Sequence, residues 1–159
     1  MISHLNNKNK PTMVDISNKK ITNRVAVAIG EIKFSKEQFK QIENLKVKKG
    51  EIDNVAIIAG INGAKNTSTL IPLCHNIQIE NVNIEIETIK KSSKIKVIST
   101  VETKSKTGVE MEALVSTSIA CLTIYDMCKS FGQNIIIENI KLLKKTGGKS
   151  NYITKKSKK

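Results

Sequence analysis

Two acidic residues in the second half of the chain, Glu112 and Asp126, have the most informative spacing. The segment holding them is predicted to be a helix. At about 100° and 1.5 Å per residue, their carboxylates point to nearly the same side but lie on the order of 21 Å apart. No small substrate reaches both ends of one such helix. If both groups act on one molecule, the site must combine the start of one subunit's helix with the end of another's. Plainer readings stand beside this one. Glu110 matches a capping box with Thr107, and Glu112 is favoured in a first turn by the helix dipole alone. Asp126 in a last turn opposes the dipole unless it pairs with Lys129, one turn on. Its chemical reading is a proton donor or acceptor held between the dipole and the lysine.

His75 follows the apolar run Leu-Ile-Pro-Leu-Cys, which places it at the mouth of a strand. On spacing alone, a lone histidine is more often structural than catalytic. Cys74 beside it has no partner for a metal site or a papain-like dyad, so it reads as a lining or packing residue. Cys121 and Cys128, seven apart on the long helix, face the core. Lys49, Lys65, Lys129, Lys145 and Lys149 lie in or beside loops. Each alone is a solvated charge, and together they could clamp phosphate groups. Gly147-Gly148-Lys149-Ser150 has the ending of a P-loop but lacks the upstream glycine and the strand-loop-helix setting.

The elements that must position these residues follow from periodicity. Arg24 to Phe34 alternates through Val25, Val27, Ile29 and Ile32, a strand with an irregularity at Gly30. Ser35 and Gln38 form a capping box for a short helix to about Leu45, and Lys46 to Gly50 reads as a basic loop. Glu51 to Lys65 is a largely buried helix in which Gly60 and Gly63 allow close packing or a kink. Val82, Ile84 and Ile86 mark a strand, Lys90 to Ser93 a hairpin turn, and Ile95, Val97, Ser99 and Val101 its partner strand. The long helix opens at the Thr107–Glu110 box and runs to about Phe131, stopping at Gly132. A final strand spans Ile135 to Leu143. This order is that of a ferredoxin-like split βαβ: an α+β fold with an antiparallel sheet and helices on one face.

Composition bounds the rest. With 159 residues, 39% of them hydrophobic, the chain suits one domain, expected over 13–149 between a disordered opening (1–12) and a disordered basic tail (150–159). No apolar run approaches the roughly 20 residues of a membrane span, and the opening is polar, so a soluble cytoplasmic protein with no membrane partner is expected. Three cysteines without a Cys-x-x-Cys pair suit a reducing compartment and no structural zinc. Net charge is +13, yet Arg24 is the one arginine among 27 basic residues. Such a bias is typical of AT-rich genomes and discounts the charge as a nucleic-acid signal.

Three strings carry a resemblance: Leu70-Ile-Pro-Leu-Cys-His75, Lys106-Thr-Gly-Val-Glu-Met-Glu-Ala-Leu114 and Leu122-Thr-Ile-Tyr-Asp-Met-Cys-Lys129. They resemble, in order and spacing, the hallmark segments of the MoaC family, the cyclic pyranopterin monophosphate synthases of molybdenum-cofactor biosynthesis. Met13-Val-Asp-Ile-Ser17, Lys49-Gly50, Ile58-Ala-Gly60, Ala64-Lys65 and the segment from Leu142 to Ser150 extend the similarity over nearly the whole chain after its first dozen residues. The resemblance implies a ferredoxin-like subunit in a homohexamer, a trimer of dimers, with active sites at dimer interfaces. It implies a lyase that converts 3′,8-cyclo-7,8-dihydro-GTP, the product of a radical GTP-cyclising enzyme, to cyclic pyranopterin monophosphate with loss of diphosphate. By the same resemblance Asp126, Lys49 and Lys129 are catalytic, and Leu73, Cys74, His75, Glu110, Met111, Glu112, Lys65 and Lys145 bind substrate. No resident metal or cofactor is expected, and Mg²⁺ is left open as a companion of the substrate phosphates. Asn66, Ile57, Asn76 and Glu51 depart from the usual family residues, which bears on the outer anion pocket more than on the catalytic set.

The rival reading is a basic ferredoxin-like RNA-binding module. Aromatic content of 3% and the absence of paired aromatics on any strand leave no platform for stacking bases, so no nucleic-acid partner is expected.

Overall fold

The computed structural model describes residues 4–6, 8–44 and 46–154, with the side chains of 46–50 outside the described residues. Its elements are β1 (Thr22–Lys33), α1 (Lys36–Asn44), α2 (Lys46–Lys65), α3 (Thr67–Leu70), β2 (Asn81–Ile89), β3 (Lys94–Ser105), α4 (Glu110–Cys128), β4 (Ile136–Thr146) and β5 (Tyr152–Ile153). The strands form one sheet in the order β2-β3-β1-β4-β5, and every pairing is antiparallel. Leaving aside the short β5, this is the strand order of a ferredoxin-like split βαβ, with α2 and α4 packed on one face of an α+β sheet.

Which side of β1 meets the helices is decided by side-chain size. Ala26, Ala28, Gly30 and Ile32 face α4, while Val25, Val27 and Ile29 point to the opposite face. The alternation is legible, but Val25, Val27 and Ile29 turn away from the helices, and beside Gly30 α4 lies too close for a larger side chain. A Cβ on Gly30 would stand 2.8 Å from Cys121 Sγ and 2.9 Å from Thr117 Cγ2. The irregularity expected at Gly30 is a register shift against β4 between Ile29 and Glu31; in β4, Asn139 takes a positive φ of 58° and donates to Glu31 Oε2. Gly60 and Gly63 serve close packing. Cβ atoms there would meet Ile84, Ser116 and Ala120, or Ile119 and Val115, so α2 and α4 cross in near contact, running antiparallel.

The Ser35–Gln38 box is formed: Gln38 N–H donates to Ser35 Oγ at 3.2 Å and Ser35 N–H to Gln38 Oε1 at 2.9 Å. The second box is not. The residue before the first turn of α4 is Val109, and no side chain caps the helix. The Glu110 carboxylate is instead drawn to Lys145. Lys46 to Gly50, read as a loop, are the first turn and a half of α2. Lys46, Val47, Lys48 and Lys49 bring no helix breaker, and the roughly 1 kcal/mol that one interior glycine costs does not stop a helix whose later turns are buried.

Both ends carry more order than composition suggests. In the opening, Asn6 Oδ1 accepts the Lys8 and Lys10 N–H groups, Leu5 bridges Pro11, and Thr12 N–H donates to His4 O at 2.9 Å. Beyond Ser150, Tyr152 and Ile153 pair with Lys145 and Lys144 on β4. These two residues suit a strand, and the free edge of β4 offers them a partner. The expected tail over 155–159 lies outside the described residues. By length and composition α4 through Phe131 would pass for a membrane span, but Ala113, Ala120, Cys121, Ile124 and Cys128 are its inner face and are fully buried against the sheet and α2, as suits a core helix.

Candidate functional site

The turn after α3 and the start of α4 meet over a cleft of about 440 Å³. Leu73, Cys74 and His75 reach it from one side, Glu110, Met111 and Glu112 from the helix, and Lys145 from the end of β4. Pro72 fixes the approach: it follows Ile71 in a turn closed by Cys74 N–H donating to Ile71 O at 3.0 Å, and its locked φ suits that position. The His75 ring is anchored to the chain that enters β1. Its Nε2 lies 2.8 Å from Val14 O, and because a carbonyl only accepts, Nε2 is the donor of this bond.

The electrostatics of the cleft follow from burial. Glu112 is 4% exposed, and loss of hydration pushes its carboxyl up to about 7, with Glu110 adding like-charge repulsion and the helix backbone working against both. A carboxyl with that proton affinity exchanges a proton near neutrality, as an acid–base catalyst must. Burial, and then the charge of Glu112, raise the Cys74 thiol, so Cys74 stays protonated and is a lining group rather than a nucleophile. Glu110 is partnered by Lys145 at 3.1 Å. That pair leaves the lysine charge at the cleft wall, held by a carboxylate that an incoming anion can replace.

Seven of the predicted residues thus converge on one cleft: Leu73, Cys74, His75, Glu110, Met111, Glu112 and Lys145. Four do not. Lys65 lines a separate cleft of about 220 Å³ with Ile61, Ile77 and Val82. Asp126 and Lys129 form an exposed ion pair of 2.7 Å at the far end of α4, and the antiparallel crossing of α2 and α4 brings the first turn of α2, which includes Lys49, to that same end. The Lys49 side chain lies outside the described residues.

Sequence reasoning missed several residues of this region. Lys19, Val14 and His4 also line the large cleft, and a smaller one of about 190 Å³ beside it is lined by Lys19, Arg24, Lys106 and Lys149. Arg24 Nε donates to Ser105 O and its Nη2 to Lys106 O, both at 2.9 Å, which fixes a permanent cation at the rim. Its signal was available, because a single arginine in so lysine-rich a chain occupies a position that lysine does not fill. Gly148, Lys149 and Ser150 form the far wall of this smaller cleft, between β4 and β5 rather than before a helix, so the segment is no P-loop. Gly147 has φ of +85°, and a Cβ there would collide with Asn23 O, which is why the turn needs glycine.

With this geometry in hand, comparison with known proteins gives consistent matches. The model of the MoaC family matches residues 13–148. The chain is 49% identical over 157 residues to cyclic pyranopterin monophosphate synthase of Helicobacter pylori (strain G27), covering 98% of this chain and 99% of that protein. It is 46% identical over 149 residues to the protein of the same name from Clostridium perfringens (strain SM101 / Type A), covering 94% of each. A match over that much of the chain, at that identity, leaves one conclusion: the chain belongs to the MoaC family.

Proposed function

We propose that this chain is a cyclic pyranopterin monophosphate synthase, a lyase that converts 3′,8-cyclo-7,8-dihydro-GTP to cyclic pyranopterin monophosphate and diphosphate in molybdenum-cofactor biosynthesis. Forming a cyclic monophosphate from a triphosphate requires a hydroxyl oxygen to attack the innermost phosphorus. The new P–O bond forms as the bond to the diphosphate oxygen breaks, and the hydroxyl proton passes to a base. The ring rearrangement that precedes it needs a group that both donates and accepts protons. The observation that carries the reading is the pairing, in one cleft, of a buried Glu112 carboxyl poised near neutrality with a wall of cations, Lys19 and Lys145. The first supplies acid–base chemistry, and the second stabilises charge gathering on departing diphosphate.

The site is completed by a second subunit. Asp126 and Lys129 belong to the same reaction but lie at the far end of the helix that holds Glu112, so one subunit's Glu112 end faces another's Asp126, Lys129 and Lys49. Support for this assembly comes from the exposed large side chains of Val55, Ile58 and Leu122 on the outer helical surface, which a neighbouring subunit would cover. The assembly is a homohexamer, a trimer of dimers, working in the cytoplasm on the product of a radical GTP-cyclising enzyme, with Mg²⁺ entering only as a companion of the phosphates. Nucleic acid and membrane are not partners.

The test is direct. Purified protein incubated with the cyclised nucleotide should release one diphosphate per molecule of cyclic pyranopterin monophosphate formed, both followed by chromatography. Steeply salt-dependent RNA binding with no product would refute the assignment.

A further inference from the structure

We propose that His4 is a substrate-binding residue of the large cleft, delivered by the chain that precedes β1. This assignment rests on the cleft being the substrate site. His4 lies outside every motif that carries the family resemblance and outside residues 13–148 matched by the family model. It nevertheless lines the cleft beside Cys74, His75 and Glu112.

Two observations turn that position into a role. The first is an unfilled hydrogen-bonding capacity: Nδ1 of His4 is buried and has no partner among the described residues. A buried polar atom left unpaired is costly, and such atoms are uncommon in folded proteins unless something absent from the structure completes them. The second is that the backbone holds the residue in place. His4 O accepts the Thr12 N–H, Leu5 bridges Pro11, and Asn6 Oδ1 closes the turn between them. The same segment continues to Val14, whose carbonyl fixes His75. Both histidines are thereby tied to one stretch of chain.

The ligand chemistry follows from the ring. A neutral imidazole offers one donor and one acceptor, which matches the carbonyl, amide and hydroxyl groups of a cyclised guanine nucleotide, while Lys19 and Lys145 suit its phosphates. The role of His4 is therefore to bind and orient the nucleotide, with the chain before β1 closing one side of the cleft.

Steady-state kinetics on the full-length oligomer with the cyclised nucleotide test this, alongside thermal melts. His4→Ala should raise KM about tenfold, with a smaller loss in kcat and an unchanged melting temperature, as expected for one hydrogen bond to substrate. Asparagine places an amide near the position of Nδ1, so His4→Asn should recover most of the affinity. A KM for His4→Ala within twofold of wild type overturns the role. Equal impairment of both variants together with a lowered melting temperature also overturns it, because that pattern marks a structural residue. Glu112→Gln and His75→Ala in the same assay separate the two claims. If they cripple turnover while His4→Ala does not, the cleft stands and only His4 falls; if none has an effect, the cleft itself is not the site.

Discussion

Lys145 Nζ stands 3.1 Å from Glu110 Oε1, joining the end of β4 to the first turn of α4 across the mouth of the cleft. Both side chains are about one-third exposed, and an ion pair so hydrated contributes below about 1 kcal/mol to folding. Under the proposed function its value lies in placing a cation where anionic substrate arrives. Lys145→Met should therefore leave the melting temperature nearly unchanged and lower kcat/KM on the order of 10²-fold, the scale for losing one positioned charge at a transition state. A melting shift as large as the kinetic loss would make the pair structural.

Glu112 gives the chain a distinctive pH dependence. Unfolded, its carboxyl titrates near 4.5; folded, at about 7. Between those values the folded state holds a proton that the unfolded state has released, so the stabilisation present below pH 4.5 is lost as pH rises and is gone above about 7. Glu112→Gln removes this titration. Relative to that variant, wild type should lose on the order of 3 kcal/mol of stability from pH 4.5 to pH 8, measured as urea midpoints at each pH. Identical pH profiles would mean that the carboxyl is solvated and is not a neutral-range acid.

The contrast between Glu112 and Asp126 shows how far the sequence could be read. The helix that holds both was plain from its periodicity, and so was their separation along it. The Asp126–Lys129 pair was also visible as a three-residue spacing, and it is present at 2.7 Å. What spacing could not supply was tertiary placement. The capping-box pattern at Thr107 and Glu110 is real as a string, but the helix starts only after Val109, and the Glu110 carboxylate pairs with Lys145, distant in sequence. Lys65, at the end of α2, lines a neighbouring cleft with Ile61, Ile77 and Val82 rather than the large one. Arg24 joins the site from the start of β1, an interior strand whose register against β3 and β4 no local pattern encodes, and Lys19 from the chain just before it.

Gly30 tests the close approach of α4 to the sheet. An added Cβ would press on Cys121 Sγ at 2.8 Å and Thr117 Cγ2 at 2.9 Å, both on the buried side of α4. Gly30→Ala should destabilise by about 1–3 kcal/mol, the range for overpacking a filled core. Cys121→Ala in the same chain removes the nearer obstacle, so the double variant should be more stable than the two single effects added together. Additive losses in chemical denaturation would mean that the contact does not limit the approach.

The proposed division of the site between subunits yields the sharpest test, because it makes opposite demands on single and mixed populations. Asp126→Asn and Lys49→Ala should each abolish turnover while the oligomer persists on a sizing column, as should Glu112→Gln. Asp126 and Lys129 are exposed, so losing their pair removes chemistry without removing core. If each site draws Glu112 from one subunit and Asp126 from its neighbour, a mixed dimer of the two inactive variants contains one site with both defects and one with neither. Random mixing in equal amounts at a two-fold interface then restores about a quarter of wild-type activity. Failure of mixed oligomers to regain activity, with subunit exchange demonstrated by a tag on one variant, would place both residues' functions within a single chain. The length of α4 makes that untenable for one substrate, because about 21 Å of helix separates the two carboxylates.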